Sequence, residues 1–208
     1  MKYGLTKEEI EKYREKLSYG EYYKQILRVV KNESQDRDPS WNLLTHGAYG
    51  GRLDYVKIAL KNGYDIDSSD GQALRNAISQ NHPDIVKYLL DHGASTAHIN
   101  DNTFLDVNNS EIILAVTSKI DDPELKRQIF IEAVYKHDII VVEGLLNLGM
   151  DPNTVGDDRG SIVLEIASRY GYLDMVKLLH SHGATITQNA LKESRGDVRK
   201  YLQEQIKK

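Results

Sequence analysis

One segment of this chain comes back four times, and that recurrence limits the possible folds more than any other feature. LDYVKIALKNGYDID at 53–67 returns as PDIVKYLLDHGAST at 83–96, as IIVVEGLLNLGMDPN at 139–153 and as LDMVKLLHSHGATIT at 173–187. Each copy opens on an acidic or apolar residue and places its apolar side chains at helical spacing. Each then reaches a glycine, Gly63, Gly93, Gly149 or Gly183, where the helix should end. A glycine there suits a left-handed closing position, which a residue with a Cβ occupies only at a cost. Self-similarity at this period predicts a stack of small units, none of which can bury its apolar stripe alone.

A second short segment precedes each copy: LLTHGAYGG at 43–51, ALRNAISQN at 73–81, IFIEAVYKH at 129–137 and VLEIASRYG at 163–171. These predict short first helices. Ala48, Ala77, Ala133 and Ala167 recur two to four residues before a tight turn, where a small side chain lets one helix lie close against the next. The unit is helix, turn, longer helix, glycine, extended loop. Between Gly93 and Gly149 the pattern weakens, because 56 residues stand where two full units of about 33 would need about 66. The spacing predicts a shortened unit there, with Ser110–Thr117 as its second helix. Asp122 then caps a long next helix from Pro123 to Lys136, with proline at its first position. Both ends are expected to be helical caps. At the N-terminus, Thr6 and Glu9 form a capping box, and Gly20 separates two amphipathic helices. At the C-terminus, 190–194 pairs with DVRKYLQEQIKK across a turn at Arg195 and Gly196.

The second-helix phrases at 51–65, 81–94 and 171–184 resemble the ankyrin repeat, whose second helix reads G-H-L-E-V-V-K-L-L-L-x-x-G-A-D. The T-P-L-H tetrapeptide of the family's first helix is replaced by Asn42–Thr45, Gln72–Arg75, Gln128–Ile131 and Ile162–Glu165, which unsettles its usual capping bonds rather than the fold. The resemblance implies an all-α ankyrin-repeat solenoid of about five stacked helix-turn-helix units. The expected layout is a cap over 1–36, repeats over 37–187 (38–67, 68–97, a degenerate 98–121, 122–154 and 155–187) and a capping repeat over 188–208. It also implies that a partner protein lies on the concave side, along the loop tips and first helices. On that ridge the family pattern places Trp41, Tyr49, Ser79, Gln80, Arg127, Tyr135, Lys136, Arg159, Arg169 and Tyr170. The set is rich in the residue types that dominate interface hot spots. Tyr49, Tyr135 and Tyr170 read as equivalent positions, able to serve a partner or to stack on one another as a structural ladder. The positive residues fall toward the C-terminal half, which predicts an acidic patch on the partner.

Composition narrows the function further. Zero cysteines exclude disulfides and thiol chemistry, and the formal net charge of −4 gives no global field for nucleic acid. No run approaches the roughly 18 apolar residues of a membrane span, and the start is charged, so a soluble cytoplasmic protein is expected. No cofactor or metal is expected. His92, His180 and His182 lack ligand spacing, and Asp65–Gly71 and Asp151–Asn153 fit the repeat's own turns better than a calcium loop. Nucleotide-binding glycine loops and a catalytic triad are also missing. A non-enzymatic binding module follows, in its sharper form an inhibitor acting by occupying a partner's surface. The low-proline, tyrosine-rich repeats are similar to those of large DNA viruses, phages or their hosts, which would make the target a host or defence protein. Two competing readings are an enzyme using Asp101, Asp106, Glu111 or Asp121 in the irregular 97–127 region, and nucleic-acid binding along the Arg/Tyr ridge.

Overall fold

A computed structural model of the chain describes residues 43–100 and 107–207. The expected N-terminal cap over 1–36, together with Trp41, Asp101 and Asp106, lies outside the described residues. Within them the chain forms eleven helices and no strand. First helices are α1 (Leu43–Tyr49), α3 (Ser68–Ser79), α6 (Pro123–Tyr135), α8 (Val163–Tyr170) and α10 (Gln188–Glu193). Second helices are α2 (Leu53–Lys61), α4 (Pro83–Asp91), α5 (Ser110–Thr117), α7 (Ile139–Asn147), α9 (Leu173–Ser181) and α11 (Gly196–Ile206).

The two kinds of helix form two layers. α2, α4, α5, α7, α9 and α11 pack one against the next in chain order, while α1 packs on α3, and α6 and α10 pack on either side of α8. The apolar stripes meet between the layers. Ile85, Val86 and Leu89 of α4, Val141, Val142 and Leu145 of α7, and Met175, Val176 and Leu179 of α9 are buried against Leu44, Leu74, Phe130 and Leu164 of the first helices. Each such side chain stabilises the stack by about 1.5–3 kcal/mol relative to exposure. This is the solenoid of stacked two-helix units that the repeat spacing predicts.

Local signals set the helix ends. At Gly63, φ is 82°, and two bonds close α2: Gly63 N donates to Leu60 O and Tyr64 N to Ala59 O. The same pair recurs at Gly93, Gly149 and Gly183. Asp122 accepts from the amides of Glu124 at 2.8 Å and Leu125 at 3.3 Å, which starts α6 where the Asp-Pro signal predicts. α5 matches the expected Ser110–Thr117, with Asn109 as its cap. α10 begins at Gln188, ahead of the expected 190, because the Thr187 hydroxyl caps it by accepting from Ala190 N. α3 includes a kink at Ser69, Asp70 and Gly71, all left-handed, with Arg75 donating to the carbonyls of Ser69 and Asp70.

The turns between first and second helices correct the register in two places. Their left-handed residues are Gly51, Asn81, His137 and Gly171. The closing bond Arg52 N to Gly47 O recurs as His82 N to Ala77 O, Asp138 N to Ala133 O and Tyr172 N to Ala167 O. The small residue of the first unit is therefore Gly47, not Ala48. A Cβ at Gly47 would lie 2.7 Å from the Tyr55 Cβ, so α1 and α2 approach more closely than their counterparts. In the same register Tyr49, Ser79, Tyr135 and Arg169 are equivalent, and Tyr170 stands one place later, beside Lys136 and Gln80. The expected equivalence of all three tyrosines does not hold.

Loops tie neighbouring units together. Asp67 Oδ1 accepts from Ser95 N at 2.8 Å, and Asn153 Oδ1 accepts from Thr185 N at 2.8 Å, one unit further on. Asp65 and Asp151 accept from the amides of Asp67 and Asn153 two residues ahead. These acidic stretches serve as turns, as the sequence suggests. The loop after α7 is longer and folds into a small hairpin, with an antiparallel bridge between Val155 and Ile162.

Candidate functional site

The end of α6, the end of α8 and the Val155–Ile162 hairpin together present an aromatic and charged cluster. Tyr135 and Tyr170 meet edge to face with ring centroids 6.0 Å apart. Tyr170 then stacks on Tyr172 at 5.6 Å, and Tyr172 on the His137 ring at 4.1 Å. The left-handed turn at His137, with φ of 56°, swings that ring toward the next unit, where its Nε2 lies 2.7 Å from Asp174 Oδ1. That bond is the main cause holding the Asp174 carboxyl below its ordinary range. Tyr170 is 54% exposed, whereas Tyr135 is half-buried. Burial, then the nearby Asp157 charge, pushes the Tyr135 phenol up.

Arg169 is the hub of the polar part. Its Nε donates to Glu193 of α10 at 2.7 Å, and its two terminal nitrogens donate to Asp157 Oδ2 and Ser161 Oγ of the hairpin, each at 3.3 Å. Burial alone would raise the Asp157 carboxyl. The bonds it accepts from Ser161, from Arg159 N and from Arg169 outweigh this and hold it below its ordinary range. Arg127 of α6 also reaches the hairpin, donating to Val155 O at 3.0 Å while pairing with Glu124. Lys136 pairs with Glu132 at 3.4 Å. Much of the positive charge on this ridge is thus matched within the chain.

Of the ten residues picked from sequence, Tyr135, Arg159, Arg169 and Tyr170 come together, with Arg127 joined to them through the hairpin. Arg159 is exposed, close enough for its charge to act on the Tyr135 phenol. Tyr49, Ser79 and Gln80 sit at the ends of α1 and α3 on another part of the stack. Tyr49 is 58% exposed and its carbonyl accepts from His82 Nε2, while Ser79 Oγ donates to Asn76 O. Sequence reasoning missed His137, Tyr172, Asp174, Asp157 and Glu193. A histidine at a turn position filled elsewhere by Gly51, Asn81 and Gly171 was a usable signal; the partners of Arg169 carried none.

The histidines weighed as metal ligands are engaged separately. The Nδ1 groups of His92 and His182 donate to the carbonyls of Tyr88 and Leu178, and His180 bonds the Tyr201 hydroxyl. Among the described residues no group of three His, Asp or Glu side chains is placed to hold a metal ion. In the irregular region an open pocket of about 490 Å³ is lined by residues that include Leu90, Ile99, Lys119, Asp121, Asp122 and Leu125. Asp122 is committed to capping α6, and Glu111 is not part of the lining. Among the described residues no helix is long and apolar enough to cross a membrane.

A family model described as ankyrin repeats, in three copies, matches residues 18–103. The likeness to ankyrin repeats is shown for that stretch, less than half of the chain. The chain is also 32% identical over 137 residues to the potassium channel AKT2/3 of Arabidopsis thaliana, an alignment covering 59% of this chain and 16% of the channel. Among solved structures it is similar to the ankyrin repeat domain of human ASB11, at 18% identity and a TM-score of 0.43, covering 81% of this chain and 97% of that one. Ankyrin repeats generally mediate protein–protein interaction and are typically non-enzymatic. Beyond the matched residues the described helices continue in pairs through α11.

Proposed function

We propose that this ankyrin chain is a binding module that holds a partner protein against the exposed side of its first helices, the concave side of such a stack. The observation that carries the reading is the joined Tyr135–Tyr170 pair, one ring half-buried and the other exposed, beside the exposed Arg159. Large aromatic rings fixed by their neighbours lose little rotamer freedom on binding, and arginine beside them adds several donors. Lys136 extends the surface at the end of α6, and Tyr49, Ser79 and Gln80 offer a separate stretch of it on α1 and α3. Arg127 and Arg169 support it from beneath, because their side chains hold the hairpin in place.

An acidic patch on the partner fits Arg159, and salt should weaken the complex. The formal net charge of −4 and the internal pairing of Arg127 and Arg169 favour a protein over nucleic acid. In its narrower form the proposal is that occupation itself is the activity: the chain blocks a host or defence protein in the cytoplasm, on behalf of a virus or phage. We also take 188–208 as a capping repeat.

The test is affinity purification with mass spectrometry, using the wild type beside a Tyr135→Ala, Arg159→Ala, Tyr170→Ala triple variant. A partner that binds the ridge should lose at least about tenfold in affinity. If a captured partner binds both proteins equally while the variant keeps its helical fold, the ridge is not the binding face.

A further inference from the structure

The outward surface of the second helices follows a pattern that α7 breaks at every place. Each helix is preceded by Arg52, His82, Asn109, Asp138, Tyr172 or Arg195. The second residue beyond that point is acidic in five helices: Asp54, Asp84, Glu111, Asp174 and Asp197. Acid in the first turn complements the helix dipole. The fifth residue is lysine in four helices: Lys57, Lys87, Lys177 and Lys200. At the far end, Asn62, His92 and His182 each donate a side-chain bond back to the carbonyl four residues earlier, at 2.7, 2.8 and 3.0 Å. α7 departs at all three places, with Ile140, Glu143 and Leu148. Ile140 is 63% exposed and Leu148 57%, and α7 has no acid in its first turn.

The neighbouring α5 completes the departure. In two places the lysine of one repeat lies over a tyrosine of the next, Lys57 over Tyr88 at 5.3 Å and Lys177 over Tyr201 at 5.7 Å. In the same relation α5 presents Leu114, and α7 presents Gly144. A Cβ on Gly144 would lie 2.5 Å from Leu114 Cδ2, so the leucine fills the notch left by the glycine. Ile140, Gly144 and Leu148 fall on one helix row at four-residue spacing. Leu114 therefore occupies the middle of that row, between two exposed apolar side chains. Exposed Glu143 and Glu111 border it, where lysine rows run on either side.

We propose that this window on the second-helix side is a second docking surface, one that takes an amphipathic helix of a partner protein whose apolar stripe is edged with lysine or arginine. The charge selects that occupant. Glu143 stands between Ile140 and Leu148, so two copies of the chain related by a two-fold axis through the row would set Glu143 against Glu143. A basic helix instead buries the apolar row and pairs with both glutamates.

The probe is a labelled helical peptide with leucines at heptad spacing and lysines beside them, titrated with the full chain and read by fluorescence anisotropy. A counterpart with glutamate in place of lysine, and a shuffled basic peptide, serve as controls. Ile140→Asp with Leu148→His installs the residues of the sibling helices, so the fold is retained and the melting temperature should hold or rise. The basic peptide should bind the wild type, lose about tenfold or more with that variant, and yield to the acidic peptide with Glu143→Lys. The Tyr135, Arg159, Tyr170 variant should bind the basic peptide unchanged, which separates this surface from the first-helix ridge. Binding indifferent to Ile140, Leu148 and Glu143, or wild-type self-association abolished by Ile140→Asp with Leu148→His, overturns the proposal.

Discussion

Arg169 shows how a single side chain can be legible in type and illegible in role. The sequence marks it as an exposed arginine beside tyrosines, the usual look of a hot spot. In the folded chain it spans three contacts, to Glu193, Asp157 and Ser161, so its first effect is on stability. Arg169→Ala should lower stability by about 1–2 kcal/mol, with the side chain's partial exposure already discounted. Urea unfolding without any partner reads this directly. Arg169→Lys should recover little of the loss, since a lysine cannot reach three acceptors in that planar arrangement. Gly47 illustrates the reverse case. Spacing alone pointed to Ala48, because alanine recurs in the other repeats, and only the bond from Arg52 N places Gly47 in that slot. Gly47→Ala should cost about 1–3 kcal/mol by overpacking against Tyr55, and an unchanged midpoint in thermal melting would show that α1 has room to shift.

Helix positions were the most readable part of the chain, because each is set by a local chemical signal. The glycine after each second helix, the Asp122–Pro123 pair and the apolar stripe all act within a few residues, and the observed helices follow them closely. Asp122→Ala removes the acceptor for two amides at the start of α6 and should destabilise the fold by about 0.5–2 kcal/mol. Differential scanning calorimetry would register the shift, and Asp122→Asn should recover most of it. What spacing could not reveal was contact between elements distant in sequence. The hairpin carrying Asp157 and Ser161 reaches Arg127 on α6 and Arg169 on α8, and no periodic pattern encodes that approach. Likewise the aromatic cluster needed the His137 turn to become visible, since its members belong to three separate helix ends.

Across the whole molecule, stability comes from interfaces between neighbours. Asp157 links this to pH. Its folded carboxyl lies below the ordinary value near about 4, so its contribution is complete above that value and is lost as pH falls through the lower folded one. Asp157→Asn should therefore cost stability at neutral pH, and in urea titrations the gap to the wild type should begin to narrow below about pH 4 and close only below the folded value. The Asp174 carboxyl, lowered mainly by its bond to His137, acts with the same sign. The overall architecture was foreseeable because a repeat states its own geometry many times over, whereas the binding surface is written once, in side chains free to differ between repeats. The last helix pair also bears on how the stack comes apart. α10 is fastened to α8 by two bonds, Thr187 to Glu165 and Arg169 to Glu193. An array that contacts only its nearest neighbours can open at any one interface; this latch makes the seam between α8 and α10 slow to part, so amide exchange in α10 should quicken when Arg169 is replaced by alanine.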